Sequence, residues 1–138
     1  MRCIPIPLKE RKELLNNTLI ISNNKLVKED LSIYAEVMLV EGSLLQTMEQ
    51  TRDLIHKGYI LLTHPLSGSI KPNETPYKSI AVEKRQGPVD TASLEIIEQS
   101  IARTKSLLEY RNTPHWPEKY LMDFRVIDLD LIRNALKL

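Results

Sequence analysis

One cysteine, Cys3, stands among 138 residues. A single thiol cannot close an internal disulfide, so the fold does not rest on an oxidising compartment. Cys3 sits at the start of the chain, where the fixed electropositive surroundings that a reactive thiol needs are not expected. Aromatic residues are scarce, 5% with one Trp and one Phe, which argues against a base-stacking surface. Neither sign of charge is in excess: 19 Lys and Arg face 18 Asp and Glu, a formal net charge of +1. Nothing in that balance favours nucleic acid or an anionic membrane as partner. Long apolar runs are missing as well. Runs such as Val37-Met38-Leu39-Val40 fall far short of a bilayer span, and the first residues carry no apolar stretch of signal-peptide length. Internal repeats and low-complexity segments are absent. The expectation is a cytoplasmic protein without membrane or nucleic-acid contact.

What is present fits one globular unit. Hydrophobic residues make up 42% and charged residues 27%, an ordinary composition, over a length suited to a single domain. Residues 1–17 read as an N-terminal extension, charged and carrying Pro5 and Pro7, of which residues 1–16 are expected to be dispensable for the core. Residues 18–138 read as one α/β domain. Thr18 to Ile21, Tyr34 to Val40, Tyr59 to Thr63, Ser79 to Val82 and Phe124 to Ile127 are short apolar runs of strand length. Lys25 to Leu31 is a short helix or a loop. Ser43 with Gln46 matches a capping box, and Gly58 closes the helix that follows. Asp90 caps a long helix to about Tyr110, with Leu94, Ile97, Ile101, Thr104 and Leu108 on one face. Pro117 opens a short helix through Met122, and Asp128 caps a last one.

Strands alternating with helices predict a mostly parallel sheet of about five strands with helices on both faces, a Rossmann-like three-layer sandwich. The weakest step is from the third strand to the fourth, where no helix is legible and a hairpin would serve. Binding crevices in such sheets lie beyond the carboxyl ends of the strands. Three polar segments follow strand ends: Ser22-Asn23-Asn24, Glu41-Gly42-Ser43 and Thr63-His64-Pro65. They converge if the first three strands run parallel.

The stretch from His64 to Lys78 is the most unusual in the chain, holding three of the eight prolines and one of four glycines. Long loops of this kind are often functional. Ser67-Gly68-Ser69 offers backbone N–H groups, and Lys71 and Lys78 offer charge, a combination suited to an anion. The alternative is a connection ordered by its prolines and by side-chain bonds to its own backbone. The Gly-Lys-Ser/Thr phosphate loop and the dinucleotide glycine pattern are both missing. Ser67 lacks the glycine elbow of a serine hydrolase, since Pro65 stands where the first glycine belongs. His56, His64 and His115 are scattered, with no ligand-spaced partner, so no metal site and no cofactor is expected. His64 is the one candidate acid or base.

From Leu54 through His64-Pro65-Leu66-Ser67-Gly68-Ser69-Ile70-Lys71-Pro72-Asn73-Glu74-Thr75-Pro76-Tyr77-Lys78 to Ser79, the sequence resembles the GrdX family. These are small proteins encoded beside the glycine/sarcosine/betaine reductase system of anaerobic amino-acid-fermenting bacteria. Ile20-Ile21-Ser22-Asn23-Asn24 and Thr113-Pro114-His115-Trp116-Pro117-Glu118-Lys119 resemble the same family's flanking segments. The likeness runs from about residue 18 to the C-terminus. It implies a cytoplasmic accessory role near a reductase that handles glycine-like substrates, and it brings no catalytic residues with it.

Two functions compete on these grounds. One is a non-catalytic accessory or binding protein with reductase-system proteins as partners, or a homodimer. The other is a small enzyme acting on a compact anionic metabolite. In that reading His64 is the catalytic group, and Asn23, Asn24, Ser67, Ser69, Lys71, Asn73, Thr75 and Lys78 bind the ligand. A deep pocket with His64 facing Asn23 would favour the enzyme, and an exposed apolar patch would favour the interaction protein.

Overall fold

The computed structural model describes residues 15–68 and 70–138. Thr18–Ser22 forms β1, a run buried along its whole length because both sides of it meet apolar neighbours. The chain continues through α1 (Lys25–Leu31), β2 (Glu36–Leu39), α2 (Leu44–His56), β3 (Ile60–Leu61) and β4 (Ser79–Glu83). It ends in α3 (Thr91–Tyr110) and α4 (Glu118–Ala135).

The four strands lie in the order β2-β1-β4-β3. β1 pairs parallel with β2, and β4 pairs antiparallel with both β1 and β3. The mostly parallel, five-stranded, Rossmann-like sandwich expected from the sequence is therefore not what forms. Two physical reasons account for the difference. Among the described residues of 62–78 there is no helix, so nothing makes the crossover that a parallel neighbour of β3 would need, and the chain turns back as an antiparallel strand. Phe124 to Ile127 is not a strand but the middle of α4. A short apolar run has no period of its own, and here it falls within Leu121, Phe124, Arg125, Asp128 and Ile132, which repeat at helical spacing. Asp128 is accordingly a buried residue inside the helix and not its cap.

Alternating side chains divide the sheet's two faces. Ile20, Val37 and Ala81 pack with Val27 and Leu31 of α1 and Ile132 of α4. Leu15 joins them, at 8% exposure, so the packed core reaches three residues upstream of β1. The extension expected over residues 1–17 lies, for residues 1–14, outside the described residues. On the other face Ile80 packs with Leu44, Met48 and Ile55 of α2 and with Ile97 and Ile101 of α3. Leu19, Ile21 and Val82 meet Leu54 on that face.

The local signals read from the sequence hold for α2 and α3. Ser43 and Gln46 close a reciprocal capping box, and Asp90 accepts from the Ser93 N–H. Gly58 ends α2 with φ +108°, in the left-handed region where glycine is at ease. A Cβ at that position would stand 2.7 Å from the Gly87 carbonyl oxygen and 2.8 Å from the Gly87 nitrogen. Gly58→Ala is thus both strained and crowded by backbone. It should lower the unfolding free energy by about 2 kcal/mol, read as a drop in urea midpoint with unchanged slope. A variant as stable as the parent would contradict this account of the turn.

Candidate functional site

Because β4 runs antiparallel, its first residue lies at the same edge of the sheet as the last residues of β1, β2 and β3. The loop 62–78 therefore begins and ends at that edge. Asn23, just past β1, clasps it. Its amide Nδ2 donates to the Pro76 carbonyl at 2.8 Å and to the Gly42 carbonyl at 3.1 Å, and its Oδ1 accepts from the Lys78 N–H at 2.9 Å. One side chain thereby joins the ends of β1 and β2 to the start of β4.

Beneath the clasp lies a buried polar node. Ser22 and Ser79 are register partners, and their hydroxyls are 2.7 Å apart. Ser79 donates to Asp128 Oδ2 at 2.7 Å, and Asn24 Nδ2 donates to the same oxygen at 3.1 Å. Asn24 Nδ2 also donates to the Arg125 carbonyl at 2.8 Å, while Asn24 Oδ1 caps α1 by accepting from the Leu26 N–H. Every polar group of the Asn24 side chain is engaged inside the fold. Burial pushes the Asp128 carboxyl above its ordinary range, opposed by the hydrogen bonds from Ser79 and Asn24 and by the charge of Lys78. Burial likewise lowers Lys78, opposed by Asp128. The Lys78 ammonium reaches the Ser67 carbonyl at 3.4 Å.

Above the node the edge carries a cleft of two adjacent hollows that share lining residues. One half, of about 310 Å³, is walled by Leu44, Leu45, Pro72, Pro76 and Leu108, with Thr75 at its margin. The other, of about 230 Å³, is walled by Lys25, Glu41, Val40 and Arg125. Asn23, Gly42 and Tyr77 line both. A wider groove of about 600 Å³ runs between β2 and α2, past Met38, Glu41, Glu49, Arg52 and Asp53. Of the polar segments that follow strand ends, only Glu41 reaches that groove, and none of the described candidate site residues lines it.

The candidate residues from the sequence scatter across these features. Asn23 and Thr75 line the cleft, and Thr75 also accepts from the Tyr77 N–H at 3.2 Å. Asn24 and Lys78 belong to the buried node. Asn73 is buried and donates to the Leu107 and Arg111 carbonyls, both at 3.2 Å, so it ties the loop to the end of α3. His64, Ser67 and Lys71 are exposed and line neither half of the cleft. His64 Nδ1 accepts from the Leu66 N–H at 3.1 Å, a local turn contact. Ser69 lies outside the described residues. Among the described residues no group of three or more His, Cys, Asp or Glu could hold a metal ion. The described residues of the loop thus fold over the strand ends, with His64, Asn73, Thr75 and Lys78 bonded to backbone groups of the loop and of α3.

Sequence reasoning missed Arg125. It was placed in a short strand, whereas it lies on the inner side of α4, at 5% exposure. Arg125 Nη1 donates to the Tyr77 hydroxyl at 2.9 Å, and its guanidinium stands 5.6 Å from the Tyr77 ring centre. Its other terminal nitrogen pairs with Glu118. Its Nε is buried without a hydrogen-bond partner. The helical spacing of Leu121, Arg125, Asp128 and Ile132 was the signal that could have found it.

A family model described as GrdX-like protein matches residues 19–137. The chain belongs to the GrdX-like family. No curated protein and no solved structure gives a significant match. No helix among the described residues is long and apolar enough to cross a membrane.

Two predictions follow from the edge of this GrdX-like fold. Asn23→Ala leaves the Lys78 N–H and the Pro76 carbonyl without partners, so it should cost about 2 kcal/mol of stability. His64→Ala should stay within about 0.5 kcal/mol of the parent. Equal urea midpoints for the two variants would dismiss the clasp.

The second concerns pH. The folded Asp128 carboxyl lies above its ordinary value of 3.8, so the folded state holds this proton more tightly than the unfolded state. Its contribution to stability is complete below that value and is lost as pH rises through the folded value. Asp128→Asn removes this loss. The urea midpoint of the variant, taken relative to the parent, should therefore climb as pH rises from the ordinary value of 3.8 through the folded value. A difference that is flat across that window would refute the buried carboxylate.

Proposed function

We propose that this GrdX-like chain is a non-catalytic accessory protein of the glycine/sarcosine/betaine reductase system, working in the cytoplasm by docking onto another protein of that system. The observation that carries the docking is the outer flank of α4. Tyr120 and Ile127 are 42% and 40% exposed, and Phe124 and Leu131, half-buried, continue the same stripe at helical spacing. Trp116 extends it, with ring centres 5.9 Å from Tyr120 and 5.3 Å from Phe124. Five of the chain's large apolar side chains thus stand in one row, in a sequence that has few aromatics to place. Tyr and Trp in such rows are typical anchors of protein interfaces. Family membership supports the choice of system. The exposed position of His64, outside both halves of the cleft, supports the non-catalytic reading over the enzymatic one.

Calorimetry of the purified chain with purified reductase-system proteins tests the reading. One of them should bind, and Tyr120→Asp or Ile127→Asp should weaken it at least about tenfold while leaving the melting temperature nearly unchanged. Absence of binding to every component sinks the proposal. So does a self-association, seen in sedimentation of the chain alone, that the same substitutions abolish, since the stripe would then belong to a second copy.

A further inference from the structure

We propose that the cleft at the carboxyl ends of β1 and β2 binds a small organic anion, a carboxylate or a phosphate monoester, that carries a short apolar body. The cleft is already divided to suit such a molecule. Leu44, Leu45, Pro72, Pro76 and Leu108 make one half apolar, and Lys25 and Arg125 stand in the other. Asn23, Gly42 and Tyr77 line both halves. Pockets of a few hundred Å³ with mostly apolar walls and a few convergent polar groups are the usual form of small-ligand sites.

Arg125 indicates the sign of the ligand. It is an ionised group at 5% exposure, and its Nε has no acceptor. Buried donors without partners are uncommon in folded proteins, and a charged one is costly. The acidic groups nearby do not remove the need. Glu118 pairs with one terminal nitrogen, but its side chain is 72% exposed and screened by water. Glu41 lies on the cationic wall yet is exposed and has no resolved contact with Arg125. Tyr77 accepts one N–H and lays its ring near the guanidinium, which fixes the fork beside the cleft. Lys25, exposed on the same wall, adds a second cation. An anion entering there meets two positive groups, while its apolar part faces the leucines and prolines. These residues are separate from the stripe on the outer flank of α4, so the ligand site and the docking surface stand or fall independently.

Amide chemical-shift titrations of the full chain with hexanoate, hexyl phosphate, acetate, inorganic phosphate and hexylamine test the inference. Saturable shifts at Asn23, Gly42, Leu45 and Tyr77 are expected with hexanoate or hexyl phosphate. Acetate and inorganic phosphate, which lack the apolar body, should bind about tenfold more weakly or worse, and hexylamine should not bind. Response to hexyl phosphate alone assigns a phosphate ligand, and response to hexanoate alone assigns a carboxylate. Arg125→Gln should weaken the better ligand about tenfold. Should that variant fail to fold, Lys25→Gln decides, because an exposed lysine can be replaced without disturbing the core. It should weaken binding several-fold. Hexylamine binding as well as hexanoate, shifts that map outside the cleft, or a Lys25→Gln variant that binds like the parent would each overturn the proposal.

Discussion

The structure hangs on a carboxylate taken out of water. Asp128 is 5% exposed, in the middle of a helix, and its charge is tolerable only because Ser79 and Asn24 donate to it and Lys78 stands near. Those partners come from β4 and from the cap of α1, and Ser79 is itself bonded to Ser22 of β1. One oxygen therefore fixes the register of the two central strands at the edge where they end, seats α1, and sets the rotation of α4 about its axis. Arg125 lies three residues earlier on the same side of α4, so the rotation that buries Asp128 also brings Arg125 beside Tyr77 and the cleft. The same rotation leaves Tyr120 and Ile127 facing outward.

What was legible in the sequence was local. Ser43 with Gln46, Asp90 and Gly58 act within a single turn of chain, and each does what its neighbours in sequence imply. The direction of β4 was not legible in that way, because it depends on the absence of a crossover helix among the described residues of 62–78 and on pairings with residues far away in sequence. The convergence of polar segments at one edge was expected from parallel strands. It arises instead with an antiparallel strand inserted between two strands that share a direction, since a strand of opposite sense presents its beginning where its neighbours present their ends. Buried charges were the least legible of all. Asp128 and Arg125 look like surface residues by type, and their partners Tyr77, Ser79 and Asn24 lie 48 to 104 residues away in sequence. A periodicity that counts only apolar positions passes over them.

The loop from His64 to Lys78 shows why polar composition alone misdirects. A long connection that packs inward must satisfy its own backbone, and the side chains able to do so are those that also bind ligands. Here Asn23, Asn73 and Thr75 do the first task. Asn73 holds two carbonyls at the end of α3, and Asn23 bridges three strand ends. The useful distinction is between polar groups whose bonds are complete inside the fold and those left incomplete. Asn24 belongs to the first kind. Asn73, whose Oδ1 has no partner, and Arg125, which lines the cleft and whose Nε has none, belong to the second, and Arg125 came from a segment that composition did not single out.

A docking surface gains when the element that presents it is already rigid, because association then orders fewer groups. α4 meets that condition through its inner side. Asp128 and Arg125 tie it to α1, β4 and the loop, Ile132 packs into the core, and Trp116 is held by its indole N–H on the Glu74 carbonyl at 2.8 Å. The outer stripe from Trp116 to Leu131 is therefore carried on a helix that cannot turn without breaking the buried node. Polar anchoring on one side and apolar exposure on the other are two consequences of one arrangement. A substitution at Asp128 would loosen the presentation of Tyr120 and Ile127 without touching either side chain, whereas a substitution at Ile127 would change the surface and leave the anchoring intact.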